Sequence, residues 1–126
     1  MKKPRQVLLF LIIFTFLAGC GPQSGTNGML VWLDVPVDGL ILEEIQPIKI
    51  EGHASSRKAI ARIEISINDS LWQVVENPPC QNNLCSFSVT WQAEKSGTYT
   101  IGALAFDANG QGSTPDEATI NIGNNE

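Results

Sequence analysis

The sequence predicts an all-β fold, a two-sheet sandwich of about seven strands, preceded by an N-terminal export segment. Three observations lead there. Beyond Gly28 the chain is a series of short stretches in which apolar and polar residues alternate with period two. Between them lie clusters of Gly, Pro, Asn, Asp and Ser. No stretch of that region carries a helical period over enough residues to argue for a helix.

The first twenty residues have a different character. A basic start (Lys2, Lys3, Arg5) leads into an uncharged apolar run from Val7 to Ala18. That run is shorter than the roughly 20 residues needed to span a bilayer and matches a secretory signal core of about 7–15. At its end Leu17-Ala18-Gly19-Cys20 resembles the lipobox of bacterial lipoproteins at all four positions. The resemblance implies a signal peptide over residues 1–19, cleavage before Cys20 and acylation of its thiol. Each buried methylene contributes about 0.8 kcal/mol, so two or three acyl chains hold a protein essentially permanently where one chain binds marginally. The expected location is the extracytoplasmic face of a cell membrane.

Residues 20–28 then form the lipidated cysteine and a tether, because Gly21 to Gly28 contains no large apolar residue and is rich in Gly. Eight residues reach at most about 28 Å and roughly 16 Å on average, which keeps the following domain close to its membrane. Processing leaves about 107 residues, near the commonest domain size. Of the 8 basic residues three are removed, against 13 acidic ones. The mature protein is therefore clearly acidic, and nucleic acid is excluded as an expected partner.

Residues 29–123 hold the sandwich. The strands read as Met29–Val35, Pro47–Ala54, Ile60–Ile67, Leu71–Val75, Ser86–Gln92, Thr98–Asp107 and Ala118–Ile122. One parity collects Ile48 and Ile50; Ile63, Ile65 and Ile67; Phe87, Val89 and Trp91; Tyr99, Ile101, Ala103 and Ala105; and Ala118, Ile120 and Ile122. These are the expected core. Their neighbours, among them Lys49, Glu51, Arg62, Glu64, Ser88, Thr90, Thr119 and Asn121, are polar, as befits sheets with one wet face. Pro36-Val37-Asp38-Gly39, Asn68-Asp69-Ser70, Lys95-Ser96-Gly97 and Asn109-Gly110 supply the turns.

Taken together, Val31-x-Leu33, Pro36-x-x-Gly39, Pro47-Ile48-x-Ile50-x-Gly52-x-Ala54, Ile63-x-Ile65-x-Ile67, Gly97-x-Tyr99-x-Ile101 and Ala105-x-Asp107-x-x-Gly110 resemble bacterial immunoglobulin-like domains, close in style to fibronectin type III modules. The likeness runs from Met29 to Ile122. It implies a seven-strand immunoglobulin-like sandwich, with Tyr99 in the place of a tyrosine corner. No cysteine pair is placed to bridge the sheets, a departure from antibody domains.

Cys80 and Cys85, with four residues between them, are expected to form a disulfide in an oxidising compartment, stiffening the crossover from Asn77 to Leu84 by roughly 2 kcal/mol. Their spacing is not the Cys-x-x-Cys of redox and zinc sites. His53, the only histidine, falls on an outward parity with no partner expected, and no Gly-x-Ser-x-Gly turn is present. The chain is thus expected not to be an enzyme. Asp34, Asp38, Glu43, Glu44 and Asp107 match no calcium-loop spacing, so no metal or other cofactor is expected, and Asp38 and Asp107 are assigned to turn backbones.

The strand from Thr98 to Asp107 puts Gly102, Leu104 and Phe106 on its outward parity, where polar residues belong. Trp72 follows a turn on a strand expected in the same sheet, its face unsettled without the hairpin register. Trp72, Leu104 and Phe106 are therefore the candidate interaction patch, because contiguous exposed apolar surface marks binding sites. Two readings stay open: a non-catalytic module for an envelope protein or glycan, or a spacer or assembly subunit whose apolar residues are covered, for instance by the segment from Glu76 to Leu84.

Overall fold

The computed structural model describes residues 28–123. The expected signal peptide, Cys20 and the tether up to residue 27 lie outside the described residues. Nine strands make up the domain: β1 (Leu30–Val35), β2 (Ile41–Leu42), β3 (Ile48–Ser55), β4 (Ile60–Ile67), β5 (Ser70–Glu76), β6 (Cys80–Gln81), β7 (Leu84–Trp91), β8 (Gly97–Asp107) and β9 (Asp116–Ile122). They form a four-stranded sheet in the order β1-β3-β7-β6 and a five-stranded sheet in the order β2-β9-β8-β4-β5. All neighbours are antiparallel except β2 and β9.

The seven expected strands are present, and two short ones join them. Ile41 and Leu42 run parallel to Asn121 and Ile122; two residues are too few to show a period, and their partner lies at the other end of the chain. Cys80 and Gln81 pair with Cys85 and Leu84, so the expected crossover loop is instead a miniature hairpin turned by Asn82 and Asn83. Those two residues, like Asn68 and Asp69 between β4 and β5, have φ between 48° and 67°. Two consecutive left-handed residues make the tight turn that matches strand twist, and Asn and Asp tolerate it better than other side chains.

The inward parity is the one the alternation assigns. Ile48, Ile50, Ile63, Ile65, Phe87, Trp91, Ile101, Ala103, Ala105, Ala118, Ile120 and Ile122 are buried, with Ile67, Val89 and Tyr99 half-buried at the margin. Gly52 shares that parity and is held to glycine, since a Cβ there would clash with the Trp32 carbonyl oxygen and meet the Phe87 ring at 2.5 Å. The ring fills the space that a side chain would need.

Strand direction divides the connections between two poles. Gly28, residues 56–59, 77–83 and 108–115 lie at one; residues 36–47, 68–69 and 92–96 and Gly123 lie at the other. At the first pole the Ser56 N–H donates to the Asn83 carbonyl at 3.3 Å. At the second, Asn68 brackets Thr100, its N–H donating to the Thr100 carbonyl at 2.8 Å and its Oδ1 accepting from the Thr100 N–H at 2.9 Å.

Candidate interaction surface

Two exposed large apolar residues, Leu71 and Trp72, sit side by side on β5, the edge strand of the larger sheet. Its pairing with β4 slips by one residue: Ile65 faces Gln73 and Ser66 faces Leu71, leaving Trp72 without a partner. Such a bulge turns its extra residue out of the alternation. Leu71 consequently shares the outward face of Ser66 and Glu64 and is 58% exposed, while Trp72, 37% exposed, lines a groove between the start of β5 and the end of β7. The groove holds about 480 Å³. Trp91 and Tyr99 line it, packed edge to face with ring centroids 4.9 Å apart. The Tyr99 hydroxyl donates to the Lys95 carbonyl at 2.5 Å, tying the strand to the turn before it as a tyrosine corner does. Ser70, Thr90, Gln92, Glu94 and Lys95 supply the polar lining.

The three expected patch residues do not share one surface. Leu104 lies in a shallow depression of about 320 Å³ with Glu64, Ser66, Leu71 and Glu117. Leu71, which sequence reasoning did not single out, thus stands where Trp72 was expected to extend the patch. Only the register of the bulged hairpin places it there. Phe106 is half-buried: the Arg62 guanidinium carbon sits 4.2 Å from its ring centroid, and its backbone bridges to Gly112. A Cβ on Gly112 would stand 3.0 Å from the ring. Of the segment from Glu76 to Leu84, considered as a cover, Glu76 ends β5, while Cys80, Gln81 and Leu84 belong to the other sheet, where the Ser86 N–H donates to the Pro79 carbonyl at 3.0 Å.

The outer face of the four-stranded sheet carries exposed Leu30 and Leu84 toward one pole and paired polar groups along β3. Lys49 and Glu51 are 3.0 Å apart, and the Ser88 hydroxyl donates to Glu51 at 3.1 Å. The ammonium and hydroxyl together hold the Glu51 carboxyl below the usual glutamate range, with Lys49 the larger influence. His53 corrects an expectation. It has a partner, for its Nδ1 lies 2.5 Å from Asp34 Oδ2, and its ring centroid is 5.9 Å from that of Trp32. The bulge between Leu33 and Val35 brings Asp34 across, a shift that alternation does not reveal.

Other chemistry-bearing residues take structural positions. Cys80 and Cys85 form a disulfide across the β6–β7 hairpin. Asp107 Oδ1 accepts from the N–H groups of Asn109 and Gln111 at 2.9 and 3.0 Å, the turn role assigned to it. Asp38 reaches farther than its own turn and accepts from the Thr119 N–H of β9 at 2.8 Å. Among the described residues no three His, Cys, Asp or Glu side chains gather as metal ligands, and no helix is long and apolar enough to cross a membrane.

Two antiparallel sheets, a short strand of one end running parallel to β9, and a tyrosine hydroxyl bonded four residues back define an immunoglobulin-like sandwich. A family model described as a bacterial Ig domain matches residues 30–103, more than half of the chain, and the chain belongs to that family. No curated protein matches it. Among solved structures it is similar to the fibronectin(III)-like modules of CbhA from Clostridium thermocellum, at 18% identity and a TM-score of 0.56, with 77% of this chain and 100% of that one covered. A CARDB domain from Pyrococcus furiosus aligns at 13% identity and a TM-score of 0.57, covering 76% and 94%. An endo-beta-1,4-mannanase from Thermotoga petrophila aligns at 12% identity and 0.53 over 76% of this chain and 20% of that one. At these identities the likeness is one of fold.

Proposed function

We propose that the chain is an extracytoplasmic lipoprotein, held through lipid on Cys20, whose immunoglobulin-like domain is a non-catalytic binding module for an envelope protein or glycan. The observation that carries the reading is the pair Leu71 and Trp72. Both stand exposed on an edge strand and line the groove, and Leu71 also borders the depression around Leu104. Large apolar groups left in water next to concave surface are what interaction sites offer. The lipobox-like Leu17-Ala18-Gly19-Cys20 supports the anchor. The covering of Phe106 by Arg62 and Gly112 favours the second reading, a spacer or assembly subunit, for that part of the face alone.

Crosslinking on intact cells followed by purification of the full chain tests the module. Partners retrieved by the natural sequence and lost with a Leu71→Asp, Leu104→Asp pair support it; an unchanged or empty set sends the function to the spacer reading. Labelled palmitate incorporated by the natural chain and not by Cys20→Ser tests the anchor separately.

A further inference from the structure

The groove beside Trp72 has a composition that selects among ligands, and its selection rests on reading the domain as a binding module. An indole is an expensive group to leave in water, yet the bulge turns Trp72 out of the sheet and 37% of its surface stays accessible. The aromatic wall behind it is rigid. Trp91 is buried, Tyr99 packs against it, and the Tyr99 hydroxyl fixes the turn that carries Glu94 and Lys95.

The charges lining the groove cancel, one carboxylate against one ammonium, so an ionic ligand gains nothing from entering. Gln92 adds a neutral amide with both donor and acceptor atoms. An extended peptide would instead add to the β5 edge through a main-chain ladder, and the bulge breaks that ladder at the groove. What fits is a neutral molecule with a flat C–H face to lay on an aromatic ring and a fringe of hydroxyls for amide, carboxylate and ammonium. The volume of about 480 Å³ is that of an ordinary small-ligand site. It opens at the pole opposite Gly28.

We infer that this groove binds a neutral oligosaccharide, with Trp72 as the stacking platform and Gln92, Glu94 and Lys95 as hydroxyl partners.

The test titrates the full-length protein, in micelles of a detergent without a sugar headgroup, with cellohexaose and with chitohexaose, following tryptophan emission and heat. A saturable emission shift with at least one of the two is expected. Trp72→Ala should weaken that binding at least tenfold and a Gln92→Ala, Glu94→Ala pair at least fivefold, while Lys49→Ala, on the outer face of the other sheet, leaves it unchanged. Circular dichroism of each variant confirms that it folds. No binding of either sugar, or equal binding by Trp72→Ala, overturns the inference. If the sugars fail while crosslinking still retrieves a partner that depends on Leu71 and Leu104, only the ligand class falls; loss of both results removes the binding module as well.

Discussion

The outer faces of the two sheets follow the same alternation and differ in how their side chains are partnered. On the four-stranded sheet the polar groups along β3 are answered by others, Lys49 by Glu51, Glu51 by Ser88 and His53 by Asp34, with Leu30 and Leu84 exposed near one pole. On the five-stranded sheet exposed Leu71 and half-buried Leu104 lie on the outward face beside Glu64 and Ser66, and Trp72 lines a groove at its edge. The difference shows that exposure alone does not mark a surface for binding. The paired polar groups are satisfied as they stand, whereas exposed apolar groups beside concave surface leave favourable burial unrealised.

The comparison is broken most severely at the groove wall. Trp91 belongs to the core although it lines the groove, so Trp91→Ala is expected to destabilise the fold by about 3–5 kcal/mol in chemical denaturation. Trp72→Ala, at the open rim, should cost less than about 1 kcal/mol. A similar cost for both would mean that Trp72 is a packing residue and the groove no free surface. Next in size, Cys80→Ser with Cys85→Ser should lower stability by roughly 2 kcal/mol on the loop-entropy account, without altering the environment of Trp72 by fluorescence, because the hairpin lies at the other pole.

A smaller effect separates the covered and open parts of the apolar face. Arg62→Ala removes the cation above Phe106 and should cost about 0.5–1 kcal/mol; the same measurement on Leu104→Ala reads a site with no such cap. The smallest effect belongs to the paired polar groups. Lys49→Ala should raise the Glu51 carboxyl toward its ordinary range, followed by NMR titration. Because the folded-state value is depressed, whatever this carboxylate adds to stability is present above the unfolded value and fades as acid takes the pH down through the folded one. A titration unmoved by the substitution would show that Ser88 dominates.

Much of this was legible in the chain itself, and the failures share a cause. Alternation placed Ile48, Ile63, Phe87, Ile101 and Ile120 inward, because a period of two survives wherever a strand pairs regularly. It failed at the bulges. One extra residue at Trp72 put Leu71, which alternation did not single out, on the face that Trp72 was considered to extend, and the irregularity near Leu33 brought Asp34 to His53. Neither slip has a local signature, since both depend on which residue of a distant strand lies opposite. The same limit hid β2, whose two residues acquire meaning only beside Asn121 and Ile122.

Gly28 and Gly123 leave the sandwich at opposite poles, one from β1 in the smaller sheet and the other from β9 in the larger. A pull applied between these points runs lengthwise along both strands. The β1–β3 and β8–β9 ladders would then be sheared with their hydrogen bonds resisting together, instead of being peeled open one bond at a time. The Asp116 carboxylate, which accepts from the Leu33 N–H at 2.8 Å, adds a clamp between the two strands that take the tension.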